Sequence, residues 1–276
     1  MAAYPLVATH AETDGYAVLL EVEIYSSPSY VDTPTGHANR ARLHELLSAM
    51  GWQPENMFIR EDEAVTEQAV IDAFEWLGQR VESDDVVLFY VGAHGSYIFA
   101  RLSWTDTFPP LWRTVATDQK VLLVDSCMSG LLLPKAEIIS TGSTTSMKDL
   151  ERDEWIAISH TGSLELGWWG VKEEGLPILG SPFLHYFASC FSDKSCDAND
   201  DGFVSVEEAF ASACAPTKAY YRDVIFAVPE FRVLFEESHE RLIAMGLLDP
   251  NDFPNPQMVD LYLGDLILDL SFYTSR

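Results

Sequence analysis

His94 and Cys127 are the two side chains whose type and context best suit covalent chemistry. His94 lies in Gly92-Ala93-His94-Gly95, directly after the apolar run Val86–Val91. Cys127 lies in Asp125-Ser126-Cys127-Met128-Ser129-Gly130, directly after Val121–Val124. A thiol is a weak nucleophile until ionised, and an imidazolium or converging backbone N–H groups favour the thiolate. The small residues around Cys127 leave its backbone free to curl, so that N–H groups can point at one spot and form an oxyanion hole. Gly95 lets the backbone approach a substrate carbonyl with no Cβ in the way. The chemistry this supports is acyl transfer. Cys127 attacks an amide carbonyl, and His94 protonates the leaving amine, then activates water. The N–H groups of Gly95 and Cys127 stabilise the tetrahedral oxyanion.

Such residues need strands to carry them. An apolar run rich in β-branched and aromatic residues, closed by a turn, reads as a parallel strand buried on both faces. In open α/β sheets, reactive side chains collect beyond the carboxyl ends of these strands. Residues 16–24 read as a first strand, and a helix is expected from Gly36 to Met50. Leu43, Leu46, Leu47 and Met50 share one face of it, and Gly51 sits where the helix should stop. Met57–Arg60 reads as a short strand. Thr66 is the expected N-cap of a helix to Val81. Trp155–Ser159 reads as a further strand, Pro182–Phe191 and Val206–Cys214 as helices, and Met258–Leu270 as late strands. This alternation implies an α/β fold, a mostly parallel sheet with helices on both faces. Residues 134–153 are polar and read as a mobile or cleavable loop.

Composition narrows the partners. The chain has 276 residues, 47 % hydrophobic, with 43 acidic residues against 17 basic ones, a net charge of -26. That sign disfavours nucleic acid and anionic membranes. It suits a basic polypeptide, or simply provides solubility. No apolar run reaches the roughly 20 residues of a membrane span. Met-Ala-Ala-Tyr-Pro lacks the charged and apolar regions of a secretory signal. Cys127, Cys190, Cys196 and Cys214 show no CxxC pair, so neither zinc nor a disulfide framework is expected. A reducing cytoplasm fits a free nucleophilic thiol. No organic cofactor is expected.

The two motifs resemble those of the caspase-like cysteine peptidases, above all the metacaspase and bacterial caspase-like branch, whose second motif usually reads Asp-Ser-Cys-x-Ser-Gly. The resemblance covers most of the chain, with Asn255-Pro256-Gln257 similar to that family's closing segment. It implies a caspase-like three-layer sandwich formed as one domain over residues 1–276. The part to about 133 corresponds to a large subunit and the part from about 154 to a small one. It also implies a His94–Cys127 dyad, and Asp125 as the acid that selects Arg or Lys before the scissile bond. A structural role for Asp125, satisfying loop amides, stays open. Glu165 is a candidate second acid or plain surface. The family often matures by cleavage after a basic residue, for which Lys135, Lys148 and Arg152 are candidates. His94 and Cys127 are 33 positions apart, fewer than is usual in that family; Ala93 and Met128 also depart from its pattern.

Residues 197–208 carry a second pattern. Asp197, Asn199, Asp201, Phe203 through its carbonyl, Ser205 and Glu208 have the spacing of an EF-hand loop, with Gly202 at the sharp turn. A single Ca²⁺ there would act as a structural brace. The same acids also suit a helix N-cap. A regulatory protein partner is compatible with all of this. Trp168-Trp169 suits either a substrate platform or packing, and His160, ending a strand, is a weaker candidate for touching substrate.

Overall fold

Five of the apolar runs form parallel strands. They are β1 (Gly15–Glu21), β2 (Met57–Glu61), β3 (Val86–Gly92), β4 (Lys120–Asp125) and β5 (Ile156–Ser159). A sixth, β6 (Gln257–Asp260), lies antiparallel on β5. The sheet order is β2-β1-β3-β4-β5-β6. This structure, a computed structural model, describes residues 13–133 and 154–274. Lys135, Lys148 and Arg152, with the expected cleavable loop, lie outside the described residues. The sheet draws strands from both sides of that loop. Every residue of β1, β3 and β4 is buried, as continuous apolar runs require.

Helices cover both faces. On one side α1 (Ala38–Ala49), α5 (Pro182–Cys190) and α6 (Val206–Tyr220) pack Leu43, Leu47, Phe183, Phe187 and Ala213 onto Leu19, Leu88, Leu123 and Ile158. On the other, α2 (Glu67–Gly78), α3 (Gly95–Arg101) and α4 (Trp104–Trp112) bury Val70, Phe74, Ile98 and Phe108 against Val18, Phe89 and Leu122. The architecture is the expected caspase-like α/β sandwich. A further helix, α7 (Pro229–Ala244), packs outside it with Phe226, Phe235 and Phe253 as its own core.

Local rules account for most boundaries. Thr66 caps α2 by accepting the Ala69 N–H at 3.1 Å. α1 begins two residues later than expected, because Gly36 and His37 both take positive φ. That turn is held by Glu23, whose carboxylate accepts N–H groups of Thr35, Gly36 and His37 and the Thr35 hydroxyl.

Two regions differ from expectation. Of Met258–Leu270, only the start extends β6; Gly264 at φ 111° breaks the run, and Leu266–Leu268 return as buried irregular chain. Between β3 and β4, helices α3 and α4 occupy sequence without a clear period. Pro109 and Pro110 inside α4 remove two helical N–H donors. Packing compensates: Trp104, Phe108 and Trp112 stack along one face, with centroids 4.1 and 5.2 Å apart. Phe108 is fully buried against Phe74 and Phe89. Phe108→Ala is therefore expected to cost about 3–5 kcal/mol in urea unfolding. A loss below roughly 1 kcal/mol would show that proline-containing α4 does not dock as described.

Candidate active site

The register of β3 on β4 pairs Gly92 with Asp125. His94 and Cys127 each follow by two residues, so they leave adjacent strands at the same level. Together with Thr33, Ala93, Ser126, Gly167 and Trp169 they line a cavity of about 60 Å³. Gly95 opens α3 with its Cα against the Cys127 carbonyl, where any Cβ would collide. The two expected catalytic side chains and the expected glycine thus share one rim.

His94 is held from three directions. Its backbone N–H donates to Tyr25 Oη (2.8 Å), and its ring stacks on Tyr25 at 5.0 Å. Nε2 lies 2.8 Å from the Val31 carbonyl. A carbonyl only accepts, so Nε2 carries the proton and Nδ1 keeps a free lone pair to act as base. Val31 thereby does with its backbone what a carboxylate does in a serine-protease triad. Nothing in the sequence marks a backbone carbonyl for this task.

Cys127 Sγ accepts the Gly167 N–H at 3.3 Å and faces the Gly167 carbonyl at 3.8 Å. Burial pushes the thiol up. The Gly167 N–H pulls it back, the Asp125 charge adds to the rise, and the N–H groups of Cys127 and Gly95 lower it again, leaving a net increase. These N–H groups are the donors an oxyanion would use, gathered around a resting thiol. Gly167 is a second feature that sequence reading does not reveal.

Asp125 is buried beneath the cavity. Its Oδ1 accepts from His160 Nδ1 (2.8 Å) and Trp169 Nε1 (2.9 Å); its Oδ2 has no hydrogen bond among the described residues. Two aromatic rings hold it, not loop amides. His160 is fully buried, with Nε2 3.1 Å from Tyr221 Oη, so it supports Asp125 and does not meet substrate. Trp169 lines the cavity, whereas Trp168 packs on Phe231 of α7. Glu165 is not part of the cavity lining. Its carboxylate accepts the N–H groups of Gly162 and Asn255 and the Asn255 amide, and its carbonyl accepts the Met128 N–H. The candidate second acid is an anchor for the loop after β5.

The acidic loop has two commitments. Asp197 accepts N–H groups of Asp201 and Gly202, Asn199 that of Asp201, and Asp201 that of Phe203. This ties three oxygen-bearing side chains to one turn, with Gly202 at φ 96°. Glu208 and Ser205 form a capping box on α6, and Glu208 also accepts from Ala198 and Asn199. The cap is formed, and among the described residues no three acids of this loop bring ligand atoms within 4.8 Å of one another. Elsewhere Glu21, Glu23 and His37 place potential ligand atoms within 4.8 Å of one another. Glu23 spends both oxygens on four donors, so that group holds a turn and not a metal.

No family model matches the sequence, and no curated protein matches it. Solved structures do. The chain is similar to caspase-1 from Spodoptera frugiperda, with a TM-score of 0.57 and 12 % identity, over 93 % of this chain and 90 % of that one. It is also similar to a structure of pro-sf-caspase-1, with a TM-score of 0.55 and 11 % identity over 97 % of this chain and 98 % of that one. Likeness at this identity shows a caspase-like fold. No helix among the described residues is long and apolar enough to cross a membrane.

The raised thiol gives a direct expectation. Iodoacetamide labelling of Cys127, followed peptide by peptide in a mass spectrometer, should climb through a midpoint above the ordinary thiol value of about 8.5. A midpoint near 6 would mean that His94 already holds a thiolate at rest, against the burial described.

Proposed function

We propose that this chain is a cysteine endopeptidase acting on protein substrates, cleaving after Arg or Lys. The observation that carries the reading is the shared cavity of Cys127 and His94, with His94 Nε2 donated to the Val31 carbonyl. The Cys127 proton passes to His94 Nδ1 as the sulfur bonds to the amide carbon. The oxyanion receives the Gly95 and Cys127 N–H groups. His94 then returns the proton to the departing amine. Water, deprotonated by His94, splits the thioester and restores the thiol.

The Gly167 N–H and carbonyl both face the thiol, so the resting site is latent, and substrate or an activating event displaces that segment. Self-cleavage at Lys135, Lys148 or Arg152, a regulatory partner, or Ca²⁺ could supply such an event. The acidity of the chain suits a basic substrate and no nucleic acid. Four free cysteines suit a reducing cytoplasm. A silent interaction module or a calcium-binding regulator is the competing class, and either leaves the His94–Val31 bond without a use.

Fluorogenic peptides ending in Arg, Lys or Asp test this. Cleavage after Arg or Lys should fall by at least about 10³-fold in Cys127→Ala and in His94→Ala. Cleavage after Asp would keep the peptidase and remove the acidic pocket; retained activity in Cys127→Ala would sink the mechanism.

Calcium at residues 197–208 has its own assay. Titration calorimetry should give one Ca²⁺ per chain, lost in a combined Asp197→Ala and Asp201→Ala variant. Heat-silent wild type would leave the loop as a helix cap alone.

A further inference from the structure

The segment that covers the thiol is held from outside the catalytic cavity. Gly167 faces Cys127 Sγ with its N–H at 3.3 Å and its carbonyl at 3.8 Å. Both neighbours of Gly167 are tied to side chains that no step of the chemistry uses. The Leu166 N–H donates to His239 Nε2 of α7 at 3.0 Å. The Trp168 N–H donates to Tyr221 Oη (2.9 Å), and that hydroxyl donates to the Trp168 carbonyl (3.1 Å). Tyr221 opens the turn Tyr221–Ile225 between α6 and α7. It shares one apolar cluster with Phe226, Phe235 and Phe253, so both ties belong to the unit built around α7.

The strap has little packing of its own. Leu164 and Leu166 are 40 % and 37 % exposed, and Gly167 has no side chain. The Trp168 ring rests on Phe231 of α7, with centroids 4.7 Å apart. His239 is the opposite case. It is buried, with its ring against Phe235 and Phe253 at 4.4 and 6.0 Å. Its Nδ1 lies 2.9 Å from the Phe235 carbonyl. A carbonyl only accepts, so Nδ1 carries the proton and Nε2 presents a lone pair to Leu166. An apolar side chain would fill this place among phenylalanines without the cost of burying two ring nitrogens. What histidine adds is the acceptor, fixed in direction and aimed at the strap.

We propose that α7 is an autoinhibitory clamp, with His239 as the positioning residue that keeps the Gly167 backbone on the Cys127 thiol. That the clamp shields the thiol stands by itself; that it restrains cleavage rests on the peptidase reading above. With α7 seated, Leu166 and Trp168 are both fixed, and Gly167 between them cannot leave. With α7 lifted, the strap loses the Nε2 acceptor and the Phe231 platform together. Its freed N–H groups then turn to water, and the space over Sγ opens to a carbonyl from outside. No bond is made or cut in this step. It is an equilibrium between a seated and a lifted helix, so whatever favours the lifted one raises the reactivity of Cys127.

Two measurements on the full chain test this. The first is native-state hydrogen exchange of the wild type over a series of low urea concentrations. Peptides of the strap (163–169) and of α7 should lose protection together, before those of β3 and β4. A strap that opens while α7 stays protected overturns the proposal. The second is the rate of iodoacetamide labelling of Cys127 at one fixed pH. His239→Leu removes the acceptor and keeps an apolar side chain. It should quicken labelling by about 5- to 30-fold, the worth of one N–H left without its partner. His239→Gln, which retains an acceptor oxygen, should return part of the protection. Cys190, buried on α5, is the control and should stay slow in every variant. Equal Cys127 rates in wild type and His239→Leu, with Cys190 slow, overturn the proposal. Should His239→Leu expose Cys190 as well, the variant is unfolded and the wild-type exchange result decides. Faster Cys127 labelling in a chain that cuts no peptide would uphold the clamp and remove the peptidase reading. If that reading holds, kcat/KM rises in His239→Leu by the same factor as labelling.

Discussion

The parallel register of β3 on β4 is the constraint on which the site depends. Both strands are buried on both faces, so a slip of one residue would turn every apolar side chain to the wrong layer. Burial thus fixes Gly92 against Asp125, and a two-residue extension from each puts His94 beside Cys127. The close approach of Gly95 to the Cys127 carbonyl then seals the two turns together. Hydrophobic packing far from the rim decides a geometry that the rim alone could not hold.

The rim loops rely on a different force. Glu23, Asp62, Glu165 and Glu208 each accept two or more backbone N–H groups from chain that has no ladder to join. Charge-assisted bonds of this kind are stronger than neutral ones. Part of the net charge of -26 is therefore structural rather than a solubility coat. Glu23, Asp62 and Glu165 pin the segments after β1 and β5, whose Thr33 and Gly167 line the cavity with Cys127 and His94, whereas Glu208 pins the loop before α6.

What the sequence makes legible follows from periodicity and punctuation. Buried parallel strands announce themselves as apolar runs, and the Thr66 cap and the Cys127 and His94 motifs sit at their ends. α4 is illegible for the opposite reason: Pro109 and Pro110 contradict the helix that stacked Trp104, Phe108 and Trp112 impose. Glu165 stays open in the sequence because an acid beside an active loop looks the same whether it faces substrate or collects N–H groups.

The Val31 carbonyl separates function from side-chain identity. The Val31 side chain itself is 77 % exposed and free of the core. Evolution can exchange it without touching the bond to His94, and an alanine scan would pass over it in silence. What selection has to preserve is the path of the turn between β1 and α1, and that path is written elsewhere, in Glu23, Asp62 and Asp32. Drift at position 31 and constancy at those acids would be the genetic trace of one hydrogen bond.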